Sequence, residues 1–441
     1  MADASTTKPL RIGLAGLGTV GIGVLRLLEE NRTTIEARAG RALQVVTVNA
    51  RDKTKDRGFD LSGMAWADDM VDLASRDDVD VVAELVGGSE GPALDLTRAA
   101  LASGKGVVTA NKAMIAHHGL ELAKLGAANG AALKFEAAVA GGIPVVKGLR
   151  EGASANRIER IYGILNGTCN FILSEMEKSG ADFADVLKEA QEMGYAEADP
   201  SFDIGGIDAA HKLAILASIG FGAQIDFDAV ATSGITEVRA ADIAQAKALG
   251  FVIRLIGVAD CDIGEAGTSR MLQRVRPCLV PKRHPLAHVT GPTNAVVAEG
   301  NFSGRLLFQG AGAGEGPTAS AVVADIIDIA RGDIGAPFSL PVDDLVHMAP
   351  ADPGGRVGRD YIRFTVSDRP GVLAEITAAM RDAGVSIESL IQQGRESAGS
   401  EVLVAMVTHE GPERHVGKAL ELLDGSPSLT ASPLVLPILR D

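Results

Sequence analysis

The stretch GYAEADPSFDIGGIDAAHK, residues 194–212, gathers four carboxylates and one lysine at spacings that suit proton transfer. Glu197, Asp199 and Asp203 fall in a segment broken by Pro200 and by Gly205 and Gly206; Asp208 and Lys212 then stand four apart where a helical pattern begins. Positions i, i+4, i+7 and i+8 share a helical face. Asp208 and Lys212 are therefore expected beside the apolar Ile215 and Leu216, half-buried rather than forming a solvated bridge. A half-buried ammonium needs a carboxylate or it sheds its proton, because desolvation disfavours the charged form. A lysine held this way can serve as a general acid or base near neutral pH. An arbitrary pair at this spacing is a surface contact worth a few tenths of a kcal/mol; the three carboxylates just upstream turn the reading toward a site.

A second constellation is suited to a nucleotide. Gly16, Gly18 and Gly21 form G-x-G-x-x-G after the apolar run LRIGLA and before a helical pattern at 20–30. The first glycine allows a sharp turn, the second lets backbone approach a pyrophosphate, and the third permits close helix–strand packing at a helix N-terminus that attracts anions. Thr19 and Val20 lie in the same turn. The second strand, VVTVN, ends without the acidic residue that would take a ribose 2′-hydroxyl, and Arg51, Lys53 and Lys55 follow. A cation there suits a 2′-phosphate, favouring NADP over NAD, with Asp52 as a rival carboxylate. Thr109 and Lys112, in TANK, fall past a strand, where ligands sit in a doubly wound sheet.

These residues need a scaffold, and the pattern supplies one. Short apolar runs at 10–15, 43–50, 80–87, 105–110 and 131–139 alternate with helical stretches at about 20–30, 92–103 and 113–128. Such alternation predicts right-handed crossovers and a parallel sheet over residues 1–143. From 144 to 316, helices at 169–179, 183–193, 206–219 and 239–249 mix with alternating strands such as RIERIYGIL, FVIRLIGVAD and MLQRVRPCLV, predicting an α+β unit with a largely antiparallel sheet. The helical stretch within 317–345 is expected to return to the first unit. Residues 346–359, rich in Pro and Gly, read as a linker. Residues 360–441 follow the order βαββαβ, a ferredoxin-like plan.

The bulk numbers exclude several classes. A formal charge of −15 at pH 7 argues against nucleic-acid or anionic-membrane surfaces. Three cysteines without metal-ligand spacing read as free thiols of a reducing, cytoplasmic compartment. Residues 1–9 lack the apolar core of a signal peptide, and no apolar run is long enough to span a bilayer.

Together GLAGLGTVGIGV, TANK, EAAVAGGIP, GILNGTCNFIL, the 194–212 stretch, GAGAGEGPTASAVVADI and SDRPGVLAEI resemble homoserine dehydrogenase over essentially the whole chain, with a C-terminal ACT domain and no aspartate kinase portion. The resemblance implies NAD(P)-dependent interconversion of L-homoserine and L-aspartate 4-semialdehyde on the route to threonine, methionine and isoleucine. Lys212 would then donate a proton to the carbonyl oxygen, with Asp208 orienting it and holding substrate. Glu197 would bind the substrate ammonium with Asp203 in support, and Lys112 would lie between nicotinamide and substrate. Gly314 and Glu315 would sit beside the cofactor. Main-chain oxygens at Glu136, Val139, Gly141 and Ile143 would hold a sodium ion. A dimer or tetramer is implied, as is threonine feedback through the ACT unit, where Asp368–Gly371 is either an amino-acid cradle or a plain turn. Two rivals stand beside this reading: a phosphorylating aldehyde dehydrogenase with Cys169 as nucleophile, and a non-catalytic sensor of nucleotide and amino acid.

Overall fold

The computed structural model describes residues 8–263, 269–393 and 401–440. Its first layer is a six-stranded sheet, β1 (Leu10–Ala15), β2 (Leu43–Asn49), β3 (Ala65–Trp66), β4 (Val81–Glu84), β5 (Gly106–Thr109) and β6 (Leu133–Lys134). All five pairings are parallel, in the order β3-β2-β1-β4-β5-β6. That order is the dinucleotide-binding arrangement, with its crevice outside the carboxyl ends of β1 and β4. The central strands are continuous apolar runs because helices cover both faces. The helices are α1 (Thr19–Glu30), α2 (Arg32–Ala39), α3 (Asp72–Ser75), α4 (Pro92–Ala102) and α5 (Lys112–Ala128).

The expected strand at 131–139 is cut short at Lys134. Glu136 leaves strand geometry because its N–H donates to Asp325, while its carboxylate accepts from the Val146 and Lys147 N–H groups at 2.9 and 2.8 Å. The chain then turns through positive φ at Ala140 and Gly141.

The second unit holds α6 (Val145–Lys147), α7 (Gly167–Ser179), α8 (Phe183–Glu192), α9 (Ser201–Ile204), α10 (Ile207–Phe221) and α11 (Ala240–Ala248). Its sheet takes β7 (Ile158–Ile164), β8 (Ala231–Thr232), β9 (Phe251–Ile263), β10 (Ser269–Pro281), β11 (Thr293–Gly300), β12 (Gly304–Ala311) and β13 (Ala349–Pro350), ordered β12-β11-β7-β9-β10-β13 with β8 beside β10. Its long pairings are antiparallel, as expected. The β11–β12 hairpin was not legible as strands, since β12 is an edge strand with glycines at or next to both ends whose positions alternate only between exposed and half-buried. Every residue of α10 from Asp208 to Ile219 is buried, so this helix runs through the core with its charged pair inside.

α12 (Glu315–Ala330) returns to the first unit, where Ala319, Val322 and Ile326 pack with Ile12, Leu14 and Val24. Gly23 permits this approach, because a Cβ there would stand 2.6 Å from Glu315 Cγ and 3.3 Å from Ala319 Cβ.

The C-terminal unit pairs β15 (Asp360–Ser367), β16 (Ile387–Gln393), β17 (Glu401–Thr408) and β19 (Leu429–Pro437) in the order β16-β17-β15-β19 under α13 (Val372–Asp382) and α14 (Glu413–Leu422), the ferredoxin-like plan. Both the 346–359 segment and the C-terminal unit pack onto the second unit. Within 346–359, β13 pairs with β10, and β14 (Val357–Gly358) pairs with β18 (Gly411–Pro412). The Glu413 carboxylate takes Arg274 bidentately at 2.8 Å, with Arg276 and Arg356 each at 3.1 Å. Deeper in, Tyr361 and Arg363 both donate to the fully buried Asp242. Composition hid this docking because its partners, Arg274 and Arg276 of β10 and Asp242 of α11, lie far from it in sequence.

Candidate active site

Asp208 and Lys212 project from the first turns of α10, and Lys212 Nζ donates to Asp208 Oδ2 at 2.8 Å and to the Leu165 carbonyl at 2.7 Å. An ammonium has three N–H groups, so one remains uncommitted in a site where the Lys212 side chain is 10 % exposed. On the other side Asp208 Oδ1 meets Lys112 Nζ at 3.2 Å. Lys112 opens α5 just past the carboxyl end of β5, so one carboxylate joins the second unit to the mouth of the nucleotide-binding sheet. Burial alone would raise the Asp208 carboxyl; the ammoniums of Lys212 and Lys112 outweigh it and hold the group well below the usual carboxylate range.

Asn166, which sequence reasoning missed, organises the acids. Its Nδ2 donates to Asp203 Oδ1 and Asp208 Oδ2, each at 2.8 Å, while its Oδ1 caps α7 by accepting from Cys169 N. Thr168 adds a bond to Asp203 Oδ2 at 3.3 Å. Burial and the Asp208 charge push Asp203 up. The two acids are thus unequal, with Asp208 firmly ionised and Asp203 nearer protonation. Glu197 is not brought into this cluster: it stands exposed on the 193–200 loop, and its carboxylate has no ion-pair partner among the described residues. His211 also went unremarked as a positioning group. Its ring stacks on Phe227 at 4.3 Å and meets His117 Nε2 at 3.3 Å, and burial, with His117 and Lys112 adding to it, lowers it to about 4.

The Cys169 nucleophile is contradicted. The thiol is fully buried, donates to the Asp203 carbonyl at 3.2 Å, and is raised well above its ordinary value by burial and by the Asp203 and Asp208 charges. A nucleophilic cysteine needs the opposite environment.

The glycine turn sits in a cleft of about 910 Å³ lined by Gly16, Gly18, Arg51, Lys55, Arg57 and Val86, among others. Gly16 has φ +100°, and a Cβ at Gly21 would fall 2.0 Å from the Gly16 carbonyl oxygen, whereas a Cβ at Gly18 would meet nothing within 4 Å. Gly18 precedes Thr19 and Val20 at the start of α1 and offers no side-chain cap, which leaves the open helix N-terminus that anions favour. Asp52 is committed to its own turn, taking the Thr54 N–H and hydroxyl at 2.8 Å each, and these bonds hold it below the usual range. Arg51 is exposed at the cleft.

Thr109 is buried, and its hydroxyl donates to Glu84 Oε2 at 2.6 Å and accepts from Asn111 N at 2.9 Å. Glu84 in turn accepts from Val86 N and Gly87 N, so this unpredicted carboxylate shapes the loops at the switch point. Gly314 (φ +117°) leads into α12, and Glu315 pairs with Arg26 of α1 at 2.8 Å.

Past Glu136 the chain runs through a buried turn. Val139, Gly141 and Ile143 are buried, and neither the Val139 nor the Gly141 carbonyl accepts a hydrogen bond from a described residue. Orphaned buried carbonyls suit a hard cation. Burial and Asp325 raise Glu136 to about 7.

Residues 144–327 match the family described as homoserine dehydrogenase, 16–136 its NAD-binding domain, and 361–424 the ACT domain. The chain is 44% identical over 427 residues to homoserine dehydrogenase of Pseudomonas aeruginosa, covering 95% of this chain and 96% of that one. It is similar to the crystal structure of a homoserine dehydrogenase from Thiobacillus denitrificans, at 41% identity and TM-score 0.90, covering 98% and 99% of the two chains. A hyperthermophilic archaeal homoserine dehydrogenase in complex with NADPH matches at 29% identity and TM-score 0.61, over 73% of this chain and 97% of that one.

Proposed function

Since this chain belongs to the homoserine dehydrogenase family, an oxidoreductase family with a nicotinamide cofactor, we propose that it interconverts L-homoserine and L-aspartate 4-semialdehyde, with Lys212 moving the proton. The observation that carries this reading is the Asp208 carboxylate held between two ammoniums, with one Lys212 N–H left uncommitted. A bound nicotinamide supplies or receives the hydride. As the aldehyde oxygen gains negative charge, the free N–H of Lys212 donates to it, and in the reverse direction the neutral amine takes the hydroxyl proton. Asp208 keeps Lys212 oriented and, with Lys112, forms the polar floor for substrate. Glu197, exposed and without an ion-pair partner among the described residues, would take the substrate ammonium, with Asp203 in support.

Arg51 with a committed Asp52 supports NADP over NAD, the cofactor resting on Gly16, Gly18, Thr19, Val20 and Gly21 and flanked by Thr109, Gly314 and Glu315. The orphaned carbonyls near Glu136 support a sodium ion. The ACT unit supports threonine feedback in the threonine, methionine and isoleucine routes. A cytoplasmic homodimer or homotetramer completes the reading, with Cys169, Cys261 and Cys278 free and no described helix long and apolar enough to cross a membrane.

Lys212→Ala tests the mechanism. Homoserine oxidation should fall by about 10²- to 10⁴-fold, with NADP affinity kept. A rate within about threefold of the parent would remove Lys212 from the chemistry, and a preserved affinity without any activity in the parent would favour a mere sensor.

A further inference from the structure

Lys212 is held by two acceptors, and Asp208 is only one of them. The other, the Leu165 carbonyl oxygen, takes both Lys212 Nζ at 2.7 Å and the Asn294 side-chain amide at 3.0 Å. Asn294 lies in β11, 1 % exposed, opposite Gly310 of β12. Its Oδ1 has no hydrogen-bond partner among the described residues. The amide can point only one way, since turning it over would set two oxygens against each other at Leu165. Its seat is tight: a Cβ on Gly312 would come within 2.2 Å of Asn294 Cγ, and a Cβ on Gly141 within 2.6 Å of the Gly312 carbonyl oxygen.

A main-chain carbonyl at the end of β7 could tilt with its peptide plane, and the ammonium would follow it. Asn294 removes that freedom by occupying one lone pair, leaving the other aimed at Lys212. The geometry points to Asn294 as a positioning residue for Lys212: through the Leu165 carbonyl it fixes the direction of the one N–H that faces substrate. Gly312 serves the same end, because only glycine leaves room for the amide. Both residues stand outside the acidic loop, and among the described residues the Asn294 amide makes no hydrogen bond to Asp208 or Lys112. The inference rests on Lys212 being the proton donor.

The test is a double-mutant cycle on the full chain, using homoserine oxidation with NADP. In Asn294→Ala, kcat should fall about 10- to 100-fold, the range expected when a reacting group is misplaced by about 1 Å, while the NADP dissociation constant from fluorescence titration stays within about twofold. Combining it with Lys212→Ala should give a rate no lower than Lys212→Ala alone, since residues that act as a unit are non-additive. A general structural weakening would slow both backgrounds by the same factor, and that result would overturn the inference, as would an Asn294→Ala kcat within twofold of the parent. If Asn294→Ala does not fold, Gly312→Ala, which displaces the amide without removing it, carries the same expectation and the same refutation. Should Lys212→Ala itself keep its rate, it is the donor assignment that fails.

Discussion

A lysine four residues from an aspartate is a common sight on helix surfaces; what distinguishes Lys212 is that its surroundings leave it short of acceptors by one. That part of the site was legible, because i,i+4 spacing is local and the helix carries it faithfully. Asn166 and Asn294 were not legible. Each acts by meeting residues about 40 to about 130 positions away, and an asparagine in a strand or at a helix start has no periodicity to mark it. Cys169 shows the reverse error, a residue type that suggests chemistry in a place that forbids it. Cys169→Ala should therefore keep turnover within about threefold of the parent. The cost should appear instead as a small loss of melting temperature, since only one buried sulfur atom is removed. Loss of turnover in a well-folded Cys169→Ala protein would revive the thiol mechanism.

The three glycines of the nucleotide turn read alike in sequence, yet the element they build treats them differently. Gly21 is a packing residue: its missing Cβ is where the Gly16 carbonyl oxygen lies, 2.0 Å away. Gly18 is open, with an ordinary φ of −79°. Gly18→Ala should fold with stability within about 0.5 kcal/mol of the parent but bind NADP more weakly, because the methyl group enters the space left for phosphate. Gly21→Ala should lose stability by more than about 2 kcal/mol through overpacking, even without nucleotide. Thermal melts of the apo proteins beside NADP titrations separate the two, and equal behaviour would contradict the division of labour. The parallel sheet followed from alternation alone, whereas the two-residue edge strand β3 and the early end of β6 did not. Glu136 bonds to Asp325 of α12, and no local pattern signals a partner 189 residues away.

Across the whole molecule, the ACT unit is bound to the unit that carries Lys212 by charges that the sequence scatters over β10, the 346–359 segment and α14. Burial would raise Glu413, but Arg274, Arg276 and Arg356 outweigh it and hold the carboxyl at about 2. A depressed carboxylate contributes stability above its unfolded value, here near 4.5, and loses it as pH falls toward its folded value. At about 1.4 kcal/mol per pH unit that interval is worth about 3 kcal/mol, in line with the cost of breaking a buried pair. Asp360, raised to about 6 by burial and Glu413, has the opposite sign: its contribution is fully present below its unfolded value near 3.8 and is lost as pH rises from there through about 6. Glu413→Gln should lower stability at pH 7 by about 3 kcal/mol and flatten its decline between pH 4.5 and about 2. Because β10 also pairs with β9 behind the site, the same variant should weaken the threonine inhibition proposed for the ACT unit while homoserine oxidation without threonine stays near the parent rate. Deleting residues 350–441 is a blunter comparison, since it strips Arg274 and Arg276 of their partner. If Glu413→Gln lost stability as described yet kept full threonine sensitivity, the signal would have to travel through Asp242, Tyr361 and Arg363 instead, the other buried tie between the two units.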